Sequence, residues 1–247
     1  MNYNVFYYCC THIGKIRRIN QDNYICAGKY CANGGKTVQY SVQGVLHSDS
    51  PSIVGVFDGM GGEERGEMAS MIAAKCASEV FIGNDPQKDL SEFCSTANAQ
   101  ICKFAIDNDI SSMGTTAAVL AFARREIVLC NIGDSKVFRF CEGELKQIST
   151  DHYSVAVFGQ KPALSQYLGA PPDEMNIEPY ITAEDYRDGD IYLICSDGLT
   201  DMVSAAEIRK ILMETQGEET AISLLNAALE NGGRDNITII LCRIESY

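Results

Sequence analysis

Short apolar runs rich in β-branched residues recur along the chain, and each of three such runs borders an acidic residue. Runs of this length and composition predict buried strands. The acids therefore stand at strand ends, where a rigid sheet can direct several carboxylates into one pocket. The runs are residues 52–57, 190–196 and 237–241, and the adjoining pairs are Asp58-Gly59, Asp197-Gly198 and Asp235-Asn236.

The remaining periodicity predicts further strands and two pairs of helices. Strands arrive in consecutive groups between the helix pairs, an order that favours an α+β fold of antiparallel sheets with helices packed outside. Residues 151–179 contain four prolines and predict a loop or flap beside the active face. The predicted strands are 5–10, 24–30, 37–42, 52–57, 116–122, 126–132, 136–141, 191–195, 236–244 and one near 176–181, and the helices are 64–80, 90–106, 204–215 and 220–230.

The composition indicates a single globular domain and argues against a membrane protein or a nucleic-acid-binding protein. The 247 residues, 46% of them hydrophobic, predict a single domain over 1–247 with a large core. The net charge of −13 argues against non-specific binding to nucleic acid or to anionic membranes. No apolar run approaches the ~20 residues of a membrane span, and the N-terminus carries no signal-peptide pattern. The 11 cysteines form no C-x-x-C pair, which predicts buried thiols in a reducing cytoplasm.

The strand-end acids point to a divalent cation. Several carboxylates that converge from distant parts of the chain are costly unless a cation neutralises them. Oxygen-only ligands suit Mg²⁺ or Mn²⁺ and not zinc. The alternative interpretation of a single Asp-Gly pair is a simple turn, and Asp188-Gly189, which precedes a strand, is interpreted in that way.

A basic turn precedes the second predicted strand. Asp22, at its end, is a further candidate oxygen ligand, and Arg17 could hold a phosphate through its guanidinium fork. The alternative is that Lys15, Arg17 and Arg18 simply form an exposed basic turn.

Seven short motifs, in order along nearly the whole chain, resemble the metal-dependent protein phosphatase family, the protein phosphatase 2C family, in its compact bacterial form. Any one of them is weak evidence, but seven in register are highly specific. They are Arg17 with Asp22, Asp-Gly-Met-Gly-Gly at 58–62, Gly-Thr-Thr at 114–116, Asn-Ile-Gly-Asp-Ser at 131–135, Thr-Asp-His at 150–152, Ser-Asp-Gly-Leu at 196–199 and Gly-Arg-Asp-Asn at 233–236.

The resemblance implies a four-layer α-β-β-α sandwich of two antiparallel sheets flanked by helix pairs, with two Mg²⁺ or Mn²⁺ ions at one end. By matching positions, Asp58 would bridge the ions, the Gly59 carbonyl would bind one, and Asp197 and Asp235 would bind the other. Asp22 would act through metal-bound water, and Arg17 would bind the substrate phosphate. The supporting positions are Gln21, Gly114, Thr115, Asp134 and Asn236.

The chain also departs from the family pattern. Met60 stands where some relatives carry a histidine that could serve as general acid, and His152, the nearest motif histidine, is interpreted as structural. Gln21 stands where the family has Glu. Ser111 and Ser112 occupy the positions expected to supply a third-metal Asp, so the case for a third ion is weak and would depend on Asp109 or Asp197.

The resulting expectation is a cytoplasmic, monomeric Ser/Thr protein phosphatase that hydrolyses phosphoserine and phosphothreonine in proteins with a metal-activated water and opposes a Ser/Thr kinase. Neither nucleic acid nor a membrane is expected as a partner. Two alternatives stay open: a pseudophosphatase of the same fold that binds phosphoproteins without turnover, and a phosphatase of small phosphate esters.

Overall fold

The structure is a computed structural model that describes residues 3–33, 35–36, 39–47, 50–60, 65–123, 126–155 and 162–247. Its strands form two sheets in which every paired neighbour is antiparallel. The strands are β1 Tyr3–His12, β2 Asp22–Cys26, β3 Gln39–His47, β4 Ser52–Asp58, β5 Ala117–Phe122, β6 Glu126–Ile132, β7 Lys136–Cys141, β8 Glu144–Gln147, β9 Tyr180–Asp185, β10 Ile191–Cys195 and β11 Ile237–Ser246.

One sheet has six strands in the order β3-β1-β11-β10-β7-β8, and the other has five in the order β2-β4-β5-β6-β9. The helices are α1 Gly66–Ser78, α2 Pro86–Asp107, α3 Asp197–Thr200, α4 Ala205–Glu214 and α5 Glu218–Glu230. None of the helices in the described part of the chain combines the length and apolar content that a membrane span requires.

Three apolar clusters define four layers. One lies between α1, α2 and the five-stranded sheet, with Phe57, Leu90 and Ile101 at its centre. A second fills the space between the two sheets, and a third joins the six-stranded sheet to α3, α4 and α5. Because successive strand residues point to opposite faces, a central strand must be apolar on both, and β5, for example, is buried along its whole length. The predicted α+β sandwich with helices outside is therefore confirmed.

Most predicted elements are present with shifted ends. β6 and β7 match their predicted bounds, and the helix predicted at 90–106 starts earlier, because Pro86 occupies its first turn and the Asp85 side chain accepts a hydrogen bond from the N–H of Lys88. Ser204 caps α4 as predicted, accepting from the N–H of Glu207. The predicted positions 37, 38 and 61–64, and residues 156–161 of the predicted flap, lie outside the described residues.

Two strand predictions were wrong in their bounds, and two short elements were missed. The strand predicted at 24–30 ends at Cys26, because Ala27 and Gly28 adopt positive φ in a tight turn closed by Cys26 and Lys29. The strand predicted near 176–181 is displaced to β9. Two short elements, β8 and α3, were not predicted, because four residues carry too little periodicity to reveal a strand or a helix.

Candidate active site

The strand-end acids meet at one end of the two sheets, where they line a pocket of about 370 Å³. The pocket lies at the exits of β4 and β10 and at the entry to β11, as the sequence pattern predicts. Two residues of the irregular segment 151–179 also contribute to its wall. The lining residues are Arg17, Asp58, Gly59, Met60, Thr116, Asp134, Pro162, Leu164, Asp197 and Asp235.

Asp58, the last residue of β4, is held from both sides by the Gly-Thr-Thr segment. Its N–H donates to Thr116 Oγ1 at 3.0 Å, and its carbonyl oxygen accepts from the N–H of Thr116 and from Thr115 Oγ1, both at 2.9 Å. Thr116 Oγ1 in turn lies 2.7 Å from Ser135 Oγ. These bonds fix the backbone from which the carboxylate enters the pocket.

Gly59 continues this close packing. Its N–H donates to the carbonyl oxygen of Gln21 at 3.1 Å. A β-carbon at this position would lie 2.7 Å from that same oxygen and would collide with the backbone of Gly66. Glycine is therefore required at position 59 for two reasons. The chain turns there, and the segments that contain Gln21 and Gly66 approach its backbone too closely for a side chain.

Asp22 pairs directly with Asp58 across the β2–β4 ladder and is buried beneath the pocket. Its Oδ2 atom accepts hydrogen bonds from Ser196 Oγ at 2.8 Å and from Thr238 Oγ1 at 2.7 Å. Its Oδ1 atom is buried and has no hydrogen-bond partner among the described residues. A buried carboxylate oxygen without a donor is a position at which a cation or a water molecule would be favourable.

The electrostatics of this cluster disfavour ionised acids in the protein alone. Burial raises the pKa of Asp22 to about 7, even though the two hydroxyl donors act in the opposite direction. Burial, followed by the charges of Asp22 and Asp197, raises the pKa of Asp58 well above its ordinary value. A divalent cation beside them would reverse both effects.

Asp197 and Asp235 complete the acidic wall. Asp197 is the first residue of α3, immediately after β10. A β-carbon at Gly198 would collide with the carbonyl oxygen of Asn236, so the second Asp-Gly pair is also fixed by close contact, here between α3 and the start of β11. The Asn236 side chain accepts from the N–H of Gln21 at 2.8 Å and donates to the carbonyl oxygens of Ile13 and Ile19 at 2.8 and 3.0 Å.

Arg17 is the cation of the pocket. Its Nη2 atom donates to Asp235 Oδ2 at 2.6 Å, and each side chain is 37% exposed. The hydrogen bond to Asp235 raises the pKa of the guanidinium. The basic turn is exposed, as its alternative interpretation has it, and it also places Arg17 at the pocket, where the phosphate-binding role stays a prediction.

The donors fit a hard divalent ion, because every candidate side-chain ligand is a carboxylate. Within the described residues, however, no three His, Cys, Asp or Glu side chains form a ready-made metal site. Asp235 is turned towards Arg17, and Asp22 is directed towards two hydroxyls. The acids thus lie in or beside one pocket, but their carboxylate oxygens are not all directed at one common position.

Gly114 supports the pocket floor. Its carbonyl oxygen accepts from the N–H of Met60 at 3.0 Å, and a β-carbon would lie 2.7 Å from both Met60 Sδ and a ring carbon of Tyr167. Met60 therefore packs into the wall, where it offers no proton to a leaving group.

Asp134, predicted only as a supporting residue, lines the pocket and is 5% exposed. Tyr153 donates to its Oδ2 atom at 3.1 Å, and its charge contributes to the raised pKa of Asp58. Asp109, considered with Asp197 for a third ion, is not among the lining residues. Asp109 is an exposed residue at positive φ just after α2, and Ser111 and Ser112 line a separate cavity of about 220 Å³.

Two other predicted residues lie beside the pocket wall. His152 accepts a hydrogen bond at Nδ1 from the N–H of Gly133 at 3.1 Å and is not among the lining residues. The Gln21 side chain packs against Gly66 at the start of α1, since a β-carbon there would lie 2.6 Å from Gln21 Nε2. The roles assigned to both residues stay predictions.

The sequence did not single out the hydroxyls that hold Asp22. Ser196 and Thr238 are about 40 positions apart, and the N–H of Thr238 donates to Ser196 Oγ at 2.9 Å. Their signal was present but faint: each is a polar residue inside an otherwise apolar run. A hydroxyl on the buried face of a strand needs a partner, and Asp22 is that partner.

Comparison with known proteins gives a consistent result. The family model for protein phosphatase 2C matches residues 27–231. The serine/threonine protein phosphatase PstP of Mycobacterium tuberculosis is 31% identical over 210 residues, which are 79% of this chain and 41% of that protein. The chain thus spans about two fifths of the length of this curated relative.

Other relatives match over nearly their whole length. The serine/threonine phosphatase stp of Listeria welshimeri is 29% identical over 251 residues, 94% of this chain and 92% of the relative. A solved structure of the PstP catalytic domain with two manganese ions superposes with a TM-score of 0.79 at 27% identity, covering 98% of this chain and 100% of that one.

Proposed function

Because the chain belongs to the protein phosphatase 2C family, we propose that it is a metal-dependent phosphatase that hydrolyses phosphoserine and phosphothreonine in proteins. The observation that carries the proposal is the pocket in which acids from the end of β4, the start of α3 and the turn before β11 lie beside one arginine. The family relationship supplies the class of reaction, and the pocket supplies residues of the right chemistry.

The metal-binding role is assigned to the acids of the pocket. Asp58, the Gly59 carbonyl, Asp197 and Asp235 would hold two Mg²⁺ or Mn²⁺ ions. Asp22 would act through water, in keeping with its burial beneath the lining residues and its unpartnered Oδ1 atom. Ions held there would lower the pKa of a water molecule and offset charge on the phosphoryl oxygens.

The chain's own residues position the reactants. Arg17 keeps one nitrogen on Asp235, and its remaining N–H groups are available for phosphoryl oxygens in a bidentate arrangement. The threonines that grip the Asp58 backbone hold its carboxylate against displacement when substrate charge enters. No nucleophilic side chain is required, since water attacks the phosphorus and the leaving alkoxide takes a proton from solvent.

The proposal extends to the setting of the reaction. Proteins that carry phosphoserine or phosphothreonine would be the substrates, a Ser/Thr kinase would oppose the enzyme, and the chain would act as a monomer in the cytoplasm. Support comes from the relatives, which are described as serine/threonine phosphatases.

The deciding experiment measures release of phosphate from a phosphothreonine peptide with Mn²⁺, with Mg²⁺ and with chelator. We expect turnover with either metal and none with chelator. Binding of the peptide without turnover would favour a pseudophosphatase, and turnover of small metabolite esters alone would favour an esterase of small molecules.

A further inference from the structure

Two chain segments meet at the edge of the active-site pocket and form a single rim, defined here as residues 14–18 together with residues 232–235. The N–H of Lys15 donates to the carbonyl oxygen of Gly233 at 2.7 Å, and Arg17 pairs with Asp235 at 2.6 Å. A β-carbon at Gly14 would collide with the carbonyl oxygen of Asp235. The two segments are therefore locked together, and the rim is part of the pocket's framework.

Besides Arg17, which pairs with Asp235, the rim carries three exposed cations, Lys15, Arg18 and Arg234. The chain has 33 acidic and 20 basic side chains, so a basic residue has many potential acidic partners. Most of the described arginines have one. Within the described residues, the arginines without an ion pair are Arg18, Arg187 and Arg234. Two of these three adjoin pocket residues in the sequence.

Exposed apolar side chains lie on the same rim segment. Ile16 is 68% exposed and Ile19, which follows the segment, is 48% exposed. Arginine is enriched at contact surfaces, and here it stands next to exposed apolar side chains that such a surface can cover. The basic turn thus has features of a surface that binds something in addition to the phosphoryl group.

We propose that Lys15, Arg18 and Arg234 form a specificity surface that binds acidic side chains next to the phosphorylated residue of a protein substrate. This inference rests on the proposed function, because the phosphoryl group in the pocket places the flanking residues on the rim. Once the phosphoryl group is held, each flanking contact forms within one complex and needs little intrinsic affinity.

The net charge of the chain selects this partner over other polyanions. At −13 the molecule as a whole repels a long nucleic acid or an anionic membrane. Exposed charges interact over only ~8 Å at physiological salt, so a short acidic segment bound at the pocket edge is affected mainly by the cations of the rim.

The test compares three peptides of equal length, each with one phosphothreonine. One has alanine flanks, one has glutamate flanks, and one carries a second phosphothreonine. The wild type should favour the glutamate peptide in kcat/KM by about tenfold, and Arg18→Ala or Arg234→Gln should each reduce that preference about two- to fivefold. Turnover of an aryl phosphate and of the alanine peptide should stay within about twofold, because neither carries an acidic side chain for Arg18 or Arg234 to bind.

Arg187→Ala is the matched control. It removes the same charge from an exposed, unpaired arginine, but Arg187 lies before β10, a strand length away from Asp197. The preference should survive in this variant. An unchanged preference in the Arg18→Ala, Arg234→Gln double variant, or an equal loss in Arg187→Ala, would overturn the inference.

The remaining outcomes are also informative. If the wild type prefers only the doubly phosphorylated peptide, the rim binds a second phosphoryl group and not carboxylates. That result would contradict the assignment. If the wild type hydrolyses the aryl phosphate and all peptides equally, the specificity surface fails while the proposed function stands. If it hydrolyses none of them, the proposed function fails, and fluorescence anisotropy of the same peptides still decides whether the rim binds acidic flanks.

Discussion

Asp22 and Asp190 are two buried acids at opposite ends of the sandwich, and their hydrogen bonding is closely matched. Each accepts two hydrogen bonds at Oδ2 and has a buried Oδ1 atom with no partner among the described residues. The donors differ. Asp22 has the neutral hydroxyls of Ser196 and Thr238, whereas Asp190 has a backbone N–H and the Arg139 guanidinium, whose Nη2 lies 2.6 Å away.

The two acids differ in the source of the positive charge that neutralises their carboxylates. At the Asp190 end the chain provides its own cation, and Arg139 also lies 3.4 Å from Glu184 of the other sheet. At the Asp22 end Arg17 pairs with Asp235, and the groups that act on Asp22 itself are two hydroxyls and two further acids; burial raises the pKa of Asp22 to about 7. The first arrangement joins the two sheets, while the second is suited to a cation from outside the chain.

The largest effect should come from removing one acid of the pocket. Asp58→Asn should lower kcat/KM by about 1000-fold or more, which corresponds to about 4 kcal/mol, because an anionic ligand is lost. Steady-state kinetics with Mn²⁺ would measure it, and circular dichroism would verify that the fold persists. Asp190→Asn, the matched change at the other end, should keep activity within a few fold. Activity of Asp58→Asn within tenfold of wild type would contradict the assignment.

For the free energy of unfolding, the change at Asp190 should have a larger effect than the change at Asp58. Asp190→Asn should lower the free energy of unfolding by about 3 kcal/mol, because Arg139 loses the partner that compensates its partly buried charge. Urea unfolding would measure the loss. The double variant with Arg139→Met should recover part of it, since no unpaired charge is then left. A loss below about 1 kcal/mol would show that Asp190 is not needed to hold the sheets together.

This contrast also separates what was predictable from the sequence. Asp58 and Asp197 were recognised because each directly follows a strongly apolar run, and a strand exit is a local signal. The pairing of Arg139 with Asp190 and Glu184 could not be predicted, because the three residues come from β7, the turn before β10 and β9, and no local pattern joins them.

The placement of two further acids has the same origin. Asp134 was expected to support the site and Asp109 was considered for a third ion, and of the two only Asp134 lines the pocket. The turn after β6, with Gly133 at positive φ, carries Asp134 to the pocket edge. Which of two loops reaches a pocket depends on how two sheets stack, and one sequence holds little information on that packing.

A smaller effect is expected for the pocket's own ion pair. Arg17→Ala should raise KM and lower kcat/KM by about 10- to 100-fold, on the order of 2 kcal/mol, the scale of a hydrogen bond to a charged group. The free energy of unfolding should change by less than about 1 kcal/mol, because the Arg17–Asp235 pair is more than one-third exposed on both sides. Kinetics on an aryl phosphate and urea unfolding would measure the two quantities.

Arg18→Ala is the control for this prediction. On the aryl phosphate, which has no flanking residues, it should leave kcat/KM within about twofold. Equal losses in the two variants would show a general basic patch in place of a specific phosphate-binding arginine.

The smallest effect concerns the charge of Asp22 itself. Its pKa is raised from 3.8 to about 7 in the folded chain, so the folded state binds more protons than the unfolded state between these values. The stability from this group is therefore complete below pH 3.8 and is lost as the pH rises through about 7.

In chelator, Asp22→Asn removes this titration. Relative to wild type, the variant should gain about 1–2 kcal/mol of unfolding free energy between pH 6 and pH 8. Urea unfolding at both pH values measures the change, and saturating Mn²⁺ should reverse the ranking, because only the wild type keeps the full set of anionic groups. Parallel pH profiles for the two proteins in chelator would mean that Asp22 stays ionised without help, and the contrast with Asp190 would then lose its physical basis.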